Sequence, residues 1–329
     1  MKFLPPQSKM TLIPKRALKK FAWKRYWSKH HWLGRVALIL AVFFLSILIS
    51  VIFNELNRKN LQTSASEFFP TIKKFSQKKA KPFPAVAVAA KGAVVYDLTT
   101  GKILYDKNSQ IVLPLASITK LMTVLVAKKT LNQSDLVTFL DDNNTQETWR
   151  PKELTDYTLV GSSNLGARAL AMTSASKVNR DFVQMMNDEK ERLGLSSLQF
   201  KNATGLDQNY SIAGGYGTAV DVAKLHGYIV KNYPELLEAT DRTVVSRTDT
   251  QKNNYVAVNT NSAIDQFPGL ISSKTGTTPL AGANLSIVFD AGLGHPVAIV
   301  ILGSTEEARF TDAKKLTKAI MTYFAEGRD

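Results

Sequence analysis

The sequence predicts a mixed α/β domain of the α+β type, preceded by one hydrophobic segment. Three observations support this prediction. Strand patterns occur at both ends of residues 86–329, helical patterns fill the middle, and an 18-residue run without a charge, residues 36–53, comes before them. Strands at both ends imply an antiparallel sheet built from the two termini of the domain and flanked by helices, with a helical subdomain inserted between them. A cleft is expected where the two parts meet.

The positive charge of the chain is concentrated at its N-terminus. The formal net charge is +15 in 329 residues, and residues 1–85 hold 17 Lys and Arg against 2 acidic residues. The remaining residues hold 25 of each sign and are neutral. A nucleic-acid-binding domain would carry its basic residues on the folded part, so the distribution argues against that function and predicts no nucleic-acid partner.

The uncharged run "VALILAVFFLSILISVIF" predicts a transmembrane anchor over residues 36–53. A cleavable signal peptide fits less well, because 35 residues with ten Lys or Arg and no acidic residue precede the run. Basic residues favour the cytoplasmic side, which predicts a single-pass plasma-membrane protein with residues 1–35 inside and the domain outside. Residues 54–85, rich in Lys and Pro, are predicted to be a linker between the anchor and a domain over residues 86–329.

Within the domain, the elements can be predicted in order. "AVVYDLTTGKILYD", residues 93–106, predicts a β-hairpin around a turn that contains Gly101. A helix is predicted from Ser117 to about Lys129, with further helices to about residue 240. "GLISSKTGTT", "ANLSIVFDAG" and "HPVAIVILGS" predict strands, and the segment that ends in "AIMTYFAEG" predicts a closing amphipathic helix.

Ser117 and Lys120, in "LASITKLMT", form the first candidate pair for catalysis. Three residues apart on a helix, their side chains lie on one face, where a nucleophile and a base can meet. Histidine is the usual base for serine, but His226 and His295 stand in no catalytic context and are expected to be structural. A lysine can take that role if burial or a nearby cation lowers its pKa. The S-x-x-K pattern alone also fits a helix-capping serine followed by a solvated lysine.

Two later motifs add residues suited to the same chemistry. In "GSSNLGARALA", Ser162 can relay a proton toward a leaving group, and Asn164 can hold a substrate amide and orient Lys120. In "KTGTT", Lys274 is a second cation that helps to keep Lys120 neutral. The hydroxyls of Thr275 and Thr277 can bind an anionic substrate end, and Gly276 lets a peptide approach the strand.

The order S-x-x-K, S-x-N, K-T-G is an established signature, and with it the sequence resembles the penicillin-binding proteins of the serine D-alanyl-D-alanine carboxypeptidase type. Longer segments, such as "VVYDLTTGKILYDKNSQIVLPLASITKLMT" and "VNTNSAIDQFPGLISSKTGTTPLAGANL", extend the resemblance over about residues 87–326. The resemblance implies a β-lactamase/transpeptidase-like fold.

It also implies a function. Ser117 would attack the penultimate D-Ala carbonyl of a peptidoglycan stem peptide, release the terminal D-Ala, and be freed by hydrolysis of the acyl-enzyme. Penicillin would acylate the same serine, and the backbone N–H groups of Ser117 and Thr277 would form the oxyanion hole. The expected partners are stem peptides, β-lactam inhibitors and, through residues 36–53, a bacterial lipid bilayer. No metal or cofactor is expected.

Two departures keep other functions open. Leu165 stands where many relatives have Asp, and the short spacing between Lys120 and Ser162 could widen the cleft for cross-linked substrates, as in a D,D-endopeptidase. A β-lactamase or a non-catalytic scaffold that binds the cell wall are further alternatives. The segment "NATGLD" matches a family loop near the cleft, but it fits equally well a turn held by Asn202 and Gly205.

Overall fold

The computed structural model describes residues 36, 38–58, 82–292 and 294–327. The chain divides into two compact units, residues 1–78 and 79–329. The predicted tail, residues 1–35, and residues 59–81 of the predicted linker lie outside the described residues.

In the first unit, helix α1 (Leu38–Arg58) carries the hydrophobic run. None of it is buried, and the mean hydropathy of its most apolar stretch is 2.4. A helix of this length and composition is long enough to cross a bilayer, so α1 fits a membrane anchor. The helix continues past the predicted end at Phe53, through residues 54–58, which are polar except for Leu56.

The second unit is an α+β domain, as the sequence predicts. Its strands among the described residues are β1 (Gly92–Asp97), β2 (Ile103–Lys107), β3 (Leu113–Pro114), β4 (Val137–Leu140), β5 (Gln146–Trp149), β6 (Gln199–Phe200), β7 (Gly215–Gly217), β8 (Val244–Thr248), β9 (Asn254–Val258), β10 (Leu270–Thr278), β11 (Gly282–Asp290) and β12 (Pro296–Ser304). The helices that follow α1 are α2 (Lys120–Thr130), α3 (Pro151–Val160), α4 (Asn164–Val178), α5 (Phe182–Arg192), α6 (Ala219–Asn232) and α7 (Ala308–Gly327).

The central sheet joins the two ends of the domain. Its strand order is β10-β11-β12-β1-β2, and every neighbouring pair is antiparallel. β1 therefore pairs with a strand from the far end of the chain, with Gly92 opposite Leu302. The sheet built from both termini of the domain is confirmed.

Alternation along the strands gives the sheet two buried faces. Val95, Ile287 and Ile299 pack on one face with Leu316 and Ile320 of α7. Residues of opposite parity, among them Val94, Val288 and Val300, belong to a larger core with α2, α4, α5 and α6. Because side chains of successive strand residues point to opposite faces, continuous apolar runs are what a sheet covered on both sides requires.

Two hairpins were not predicted. β4 pairs with β5, and β8 pairs with β9, with Val245 and Ala257 packed against Val160 and Ala239. β10 is an edge strand of the central sheet, and it packs against the short 3-10 helix (Ala116–Thr119) that carries Ser117. This contact brings together the first and third motifs.

Candidate active site

Ser117 lies in a tight 3-10 turn directly before α2, where the sequence predicts a continuous helix. The turn covers Ala116–Thr119, and α2 begins at Lys120. Ala116 has a φ of 49°, a left-handed conformation that side chains other than glycine rarely adopt. Ala116 and Ile118 are fully buried on either side of Ser117, so the core fixes the turn while Ser117 stays partly accessible. Strained backbone of this kind is common at functional sites.

Lys120 is fully buried beneath Ser117 and has three oxygen neighbours. Its Nζ atom lies 2.7 Å from Ser117 Oγ, 2.8 Å from Asn164 Oδ1 and 2.9 Å from the carbonyl oxygen of Thr204. Two effects together lower the pKa of Lys120 to about 7: burial, because desolvation disfavours the ammonium, and to a smaller extent the positive charge of Arg168. A substantial neutral fraction is therefore present near neutral pH.

The second motif forms the entry to α4. Ser162 has a φ of 57°, and Ser163 caps the helix by accepting a hydrogen bond from the Gly166 N–H at 3.0 Å. Asn164 is the first residue of the helix and directs its amide oxygen to Lys120. The cap and the turn thus set the positions of both Ser162 and Asn164.

Lys274, on β10, is buried and bonds to the second motif. Its Nζ donates to Ser162 Oγ and to the carbonyl oxygen of Thr275, both at 3.0 Å. Burial lowers the pKa of Lys274 well below its ordinary value, and the positive charges of Lys120 and Arg309 lower it further. The structure thus joins all three motifs through hydrogen bonds, from Ser117 to Lys120 to Asn164, and from Ser162 to Lys274.

The rest of β10 presents its residues unequally. Thr275 is buried, with its hydroxyl 2.5 Å from that of Thr260, whereas Thr277 is exposed. Gly276 faces the nucleophile's own turn, since a Cβ atom there would lie 2.8 Å from the Ser117 nitrogen. The close approach of the Ser117 backbone therefore requires glycine at position 276, and the expected room for a substrate peptide there stays a prediction.

The "NATGLD" segment is both a turn and part of the site. Asn202 Oδ1 accepts hydrogen bonds from the backbone N–H groups of Thr204 and Gly205 and from the Thr204 hydroxyl. The turn so held places the Thr204 carbonyl oxygen against Lys120. Both alternatives left open by the sequence therefore hold.

The two histidines of the domain have other partners. His226 is fully buried, with its ring nitrogens 2.7 Å from Ser286 Oγ and 2.9 Å from Ser272 Oγ, and burial lowers its pKa to about 3. The Nε2 atom of His295 lies 3.0 Å from Oδ1 of Asp97. These contacts are structural, in line with the expectation.

Two arginines near the site were missed in the sequence analysis. Arg309, near the start of α7, donates from Nη1 to Thr277 Oγ1 at 2.9 Å. Arg168 follows Asn164 by four residues and so lies on the same face of α4. Arg309 belongs to no motif, and only the packing of α7 brings it to the site, whereas the spacing of four residues from Asn164 is a local signal that could have indicated Arg168. In the part of the chain that the structure describes, no group of three potential metal ligands occurs.

Comparison with known proteins matches residues 76–306 to the sequence profile of the D-alanyl-D-alanine carboxypeptidases. The D-alanyl-D-alanine carboxypeptidase DacF of Bacillus subtilis is 30% identical over 260 residues, which cover 74% of this chain and 64% of DacF. A D-alanyl-D-alanine endopeptidase of Pseudomonas aeruginosa is 29% identical over 254 residues, covering 71% of this chain and 78% of that protein. The chain thus spans less than two thirds of the length of DacF.

The fold also resembles that of a solved penicillin-binding protein. The structure of penicillin-binding protein D2 from Listeria monocytogenes, in its cefotaxime-bound form, has a TM-score of 0.63 and 29% identity. The match covers 72% of this chain and 99% of that chain.

Proposed function

Because the chain belongs to the D-alanyl-D-alanine carboxypeptidase family, we propose that it is a serine D,D-carboxypeptidase that removes the terminal D-Ala of peptidoglycan stem peptides through an acyl-enzyme on Ser117. The observation that carries this proposal is the set of hydrogen bonds around Lys120. Each of the three oxygens near its Nζ atom has a distinct part in them.

The amide oxygen of Asn164 and the carbonyl oxygen of Thr204 can only accept hydrogen bonds. A neutral Lys120 amine has two N–H groups and one lone pair, so it donates to these two oxygens. Its lone pair is then left to accept the hydrogen bond from the Ser117 hydroxyl, 2.7 Å away. This arrangement supports Lys120 as the general base for Ser117 in the proposed mechanism.

The reaction follows from these positions. Ser117 Oγ attacks the penultimate carbonyl carbon while its proton passes to Lys120, and the N–H groups of Ser117 and Thr277 stabilise the oxyanion. Ser162, held by Lys274, relays a proton to the leaving amine as the C–N bond breaks. Water then attacks the Ser117 ester and releases the shortened peptide.

Thr277 and Arg309 bind the carboxylate of the terminal D-Ala in this proposal. A guanidinium can only donate, so Thr277 Oγ1 is the acceptor of the bond from Arg309. The hydroxyl hydrogen of Thr277 is therefore available to a carboxylate, and Thr277 is exposed. The positive charge of Arg309 favours an anion at the same place.

β-Lactams are the proposed inhibitors, since they would acylate Ser117 as the peptide does. The similar Listeria protein has been solved with cefotaxime bound. The chain is proposed to act outside the plasma membrane, anchored by residues 36–53 and tethered by a linker over residues 54–85, with the basic residues 1–35 on the cytoplasmic side and a catalytic domain over residues 86–329.

The test is intact-mass spectrometry of the full-length protein in detergent with a penicillin, followed by peptide mapping. We expect a long-lived adduct on Ser117, absent from Ser117→Ala and present in Ser134→Ala, a control at an exposed serine. If no adduct forms and the penicillin stays intact, the result would instead support a scaffold that binds the cell wall. Rapid consumption of the penicillin would support a β-lactamase.

A further inference from the structure

Thr260 lies two residues after the end of β9, where the β8–β9 hairpin returns to the proposed active site. It belongs to none of the three motifs, and the mechanism described above gives it no part. The residue is exposed, yet its backbone and its hydroxyl bond to the segments that carry the second and third motifs. Thr260 therefore connects two parts of the site.

The hydroxyl of Thr260 connects to the strand of the third motif. Thr260 Oγ1 lies 2.5 Å from Thr275 Oγ1, and the carbonyl oxygen of Thr275 accepts a hydrogen bond from Lys274 Nζ at 3.0 Å. A buried hydroxyl such as that of Thr275 requires a hydrogen-bond partner, and within the described part of the chain this partner is Thr260. The Thr260 hydroxyl thus fixes the residue whose carbonyl oxygen holds Lys274.

The backbone of Thr260 connects to the turn of the second motif. Its N–H group donates to the carbonyl oxygen of Val160 at 3.2 Å, two residues before Ser162. The residue between them, Gly161, packs so closely on β9 that a Cβ atom there would lie 3.2 Å from Ala257 Cβ. Ser162 has a φ of 57°, a conformation that persists only where the surroundings hold it. The hairpin and the residue that follows it supply part of that support.

These contacts close a ring around the bond from Lys274 to Ser162. The ring consists of hydrogen bonds of 2.5–3.2 Å and the backbone of residues 160–162, and it joins Thr260, Thr275, Lys274 and Ser162. Thr260 is the point at which the two segments of the ring meet. A change at Thr260 is therefore transmitted to Ser162 and Lys274 from both sides.

We propose that Thr260 is a positioning residue for proton delivery to the leaving group. The proposal rests on the proposed function, in which Lys274 holds Ser162 while Ser162 passes a proton to the leaving nitrogen and the C–N bond breaks. Such a transfer requires the two heavy atoms to be within hydrogen-bond reach, and a displacement of about 1 Å can cost roughly 100-fold in rate. Without the Thr260 hydroxyl, the buried Thr275 hydroxyl loses its partner, and the strand next to Lys274 is no longer fixed.

The test separates proton delivery from the attack by Ser117 through the choice of leaving group. Two substrates share one acyl part: a stem peptide that ends in D-Ala-D-Ala, and a thiolester analogue in which sulfur replaces the nitrogen of the cleaved bond. A thiolate is a weak enough base to leave without a proton, whereas an amine must be protonated as it leaves. In the full-length protein in detergent, we expect Thr260→Val to lower kcat/KM for the peptide by about 10-fold or more. We expect the thiolester value to stay within about 3-fold.

Three further variants serve as controls. Thr260→Ser keeps the hydroxyl and should retain both activities. Thr138→Val is the matched control, since Thr138 is an exposed threonine whose hydroxyl pairs with that of Thr148 at 3.1 Å in the β4–β5 hairpin, and it should change neither value. In a Ser162→Ala protein, which lacks the relay, adding Thr260→Val should cause no further loss for the peptide. Titration with penicillin gives the active fraction of each protein, so that all rate constants refer to folded enzyme.

A loss confined to the peptide, reversed in Thr260→Ser and absent on the Ser162→Ala background, supports the proposal. Equal losses for both substrates would mean that Thr260 acts on the fold alone, and unchanged values for both would mean that the ring is not needed. Either of these results overturns the proposal. If the wild-type protein cleaves neither substrate and forms no penicillin adduct on Ser117, the proposed function itself fails.

Discussion

The Lys120 amine is the group whose protonation state decides whether Ser117 can react. Only the neutral amine has a lone pair for the Ser117 proton, and the pKa of Lys120 is lowered from 10.5 to about 7. The neutral form grows as the pH rises through that value. We therefore expect the rate of penicillin acylation to increase with pH and to level off above an apparent pKa of about 7, measured by stopped-flow or mass spectrometry. A rate that is flat from pH 5 to 9 would contradict Lys120 as the base.

A substitution of Arg168 provides a second test of Lys120 as the base. Its charge lowers the pKa of Lys120, so Arg168→Ala should raise the apparent pKa of acylation and slow the reaction at pH 7. At pH values well above the pKa, where Lys120 is neutral in both proteins, the rates should converge. Lys177→Ala removes one charge from the last turn of the same helix and should leave the pH profile unchanged. A slower rate at every pH would mean that Arg168 acts on the structure and not on the pKa.

Residue-level prediction from the sequence succeeds where the relation is local and fails where it is not. Ser117 and Lys120 are one helical turn apart, and their spacing alone places them together. The bond from Arg309 to Thr277 joins residues that no motif connects, and the hydroxyl of Thr275 pairs with that of Thr260, which lies outside the K-T-G motif. Backbone strain at Ala116 and Ser162 also has no local signal, since neither residue type favours a positive φ.

At the scale of elements, close backbone contacts hold the Ser117 turn. Gly205 has a φ of 82° and packs on the Ala116 carbonyl oxygen. We expect Gly205→Ala to reduce the free energy of unfolding by about 2–5 kcal/mol. The added methyl group is unfavourable in a left-handed backbone conformation, and it also clashes with the neighbouring backbone. The measurement is the shift of the thermal unfolding transition, followed through the fluorescence of the buried Trp149.

Gly194 provides the control for this substitution. It has a φ of 68°, but a Cβ atom there would have nothing within 4 Å. Gly194→Ala should therefore show only the cost of the backbone conformation, about 1–2 kcal/mol. Equal destabilisation by the two substitutions would show that the contact with Ala116 contributes little.

The elements found from the sequence are those with long or clear periodic patterns. The β1–β2 hairpin, the start of α2 near Ser117, the three C-terminal strands and α7 lie close to where they are predicted. The β4–β5 and β8–β9 hairpins escaped because each strand is only four or five residues long and mixes polar with apolar residues. Such strands depend on their neighbours more than on their own sequence.

For the whole molecule, the proposed orientation in the membrane can be tested without background, because the chain contains no cysteine. Single cysteines can be introduced at Ser8, in the basic tail, and at Ser134, an exposed residue of the domain. We expect a membrane-impermeant maleimide to label Ser134→Cys in intact cells and Ser8→Cys only after lysis. The reverse pattern would contradict the positive-inside assignment.

The pairing of β1 with β12 also has a consequence for how the protein is made. The two strands are synthesised far apart in time. At about 5–20 residues per second, the ribosome adds Gly92 on the order of ten to forty seconds before its partner Leu302. During that interval the apolar β1–β2 hairpin has no neighbour on one edge, and such edges invite aggregation. We therefore expect the unfinished chain to need protection by chaperones, or export that keeps pace with translation, until its last strands are made.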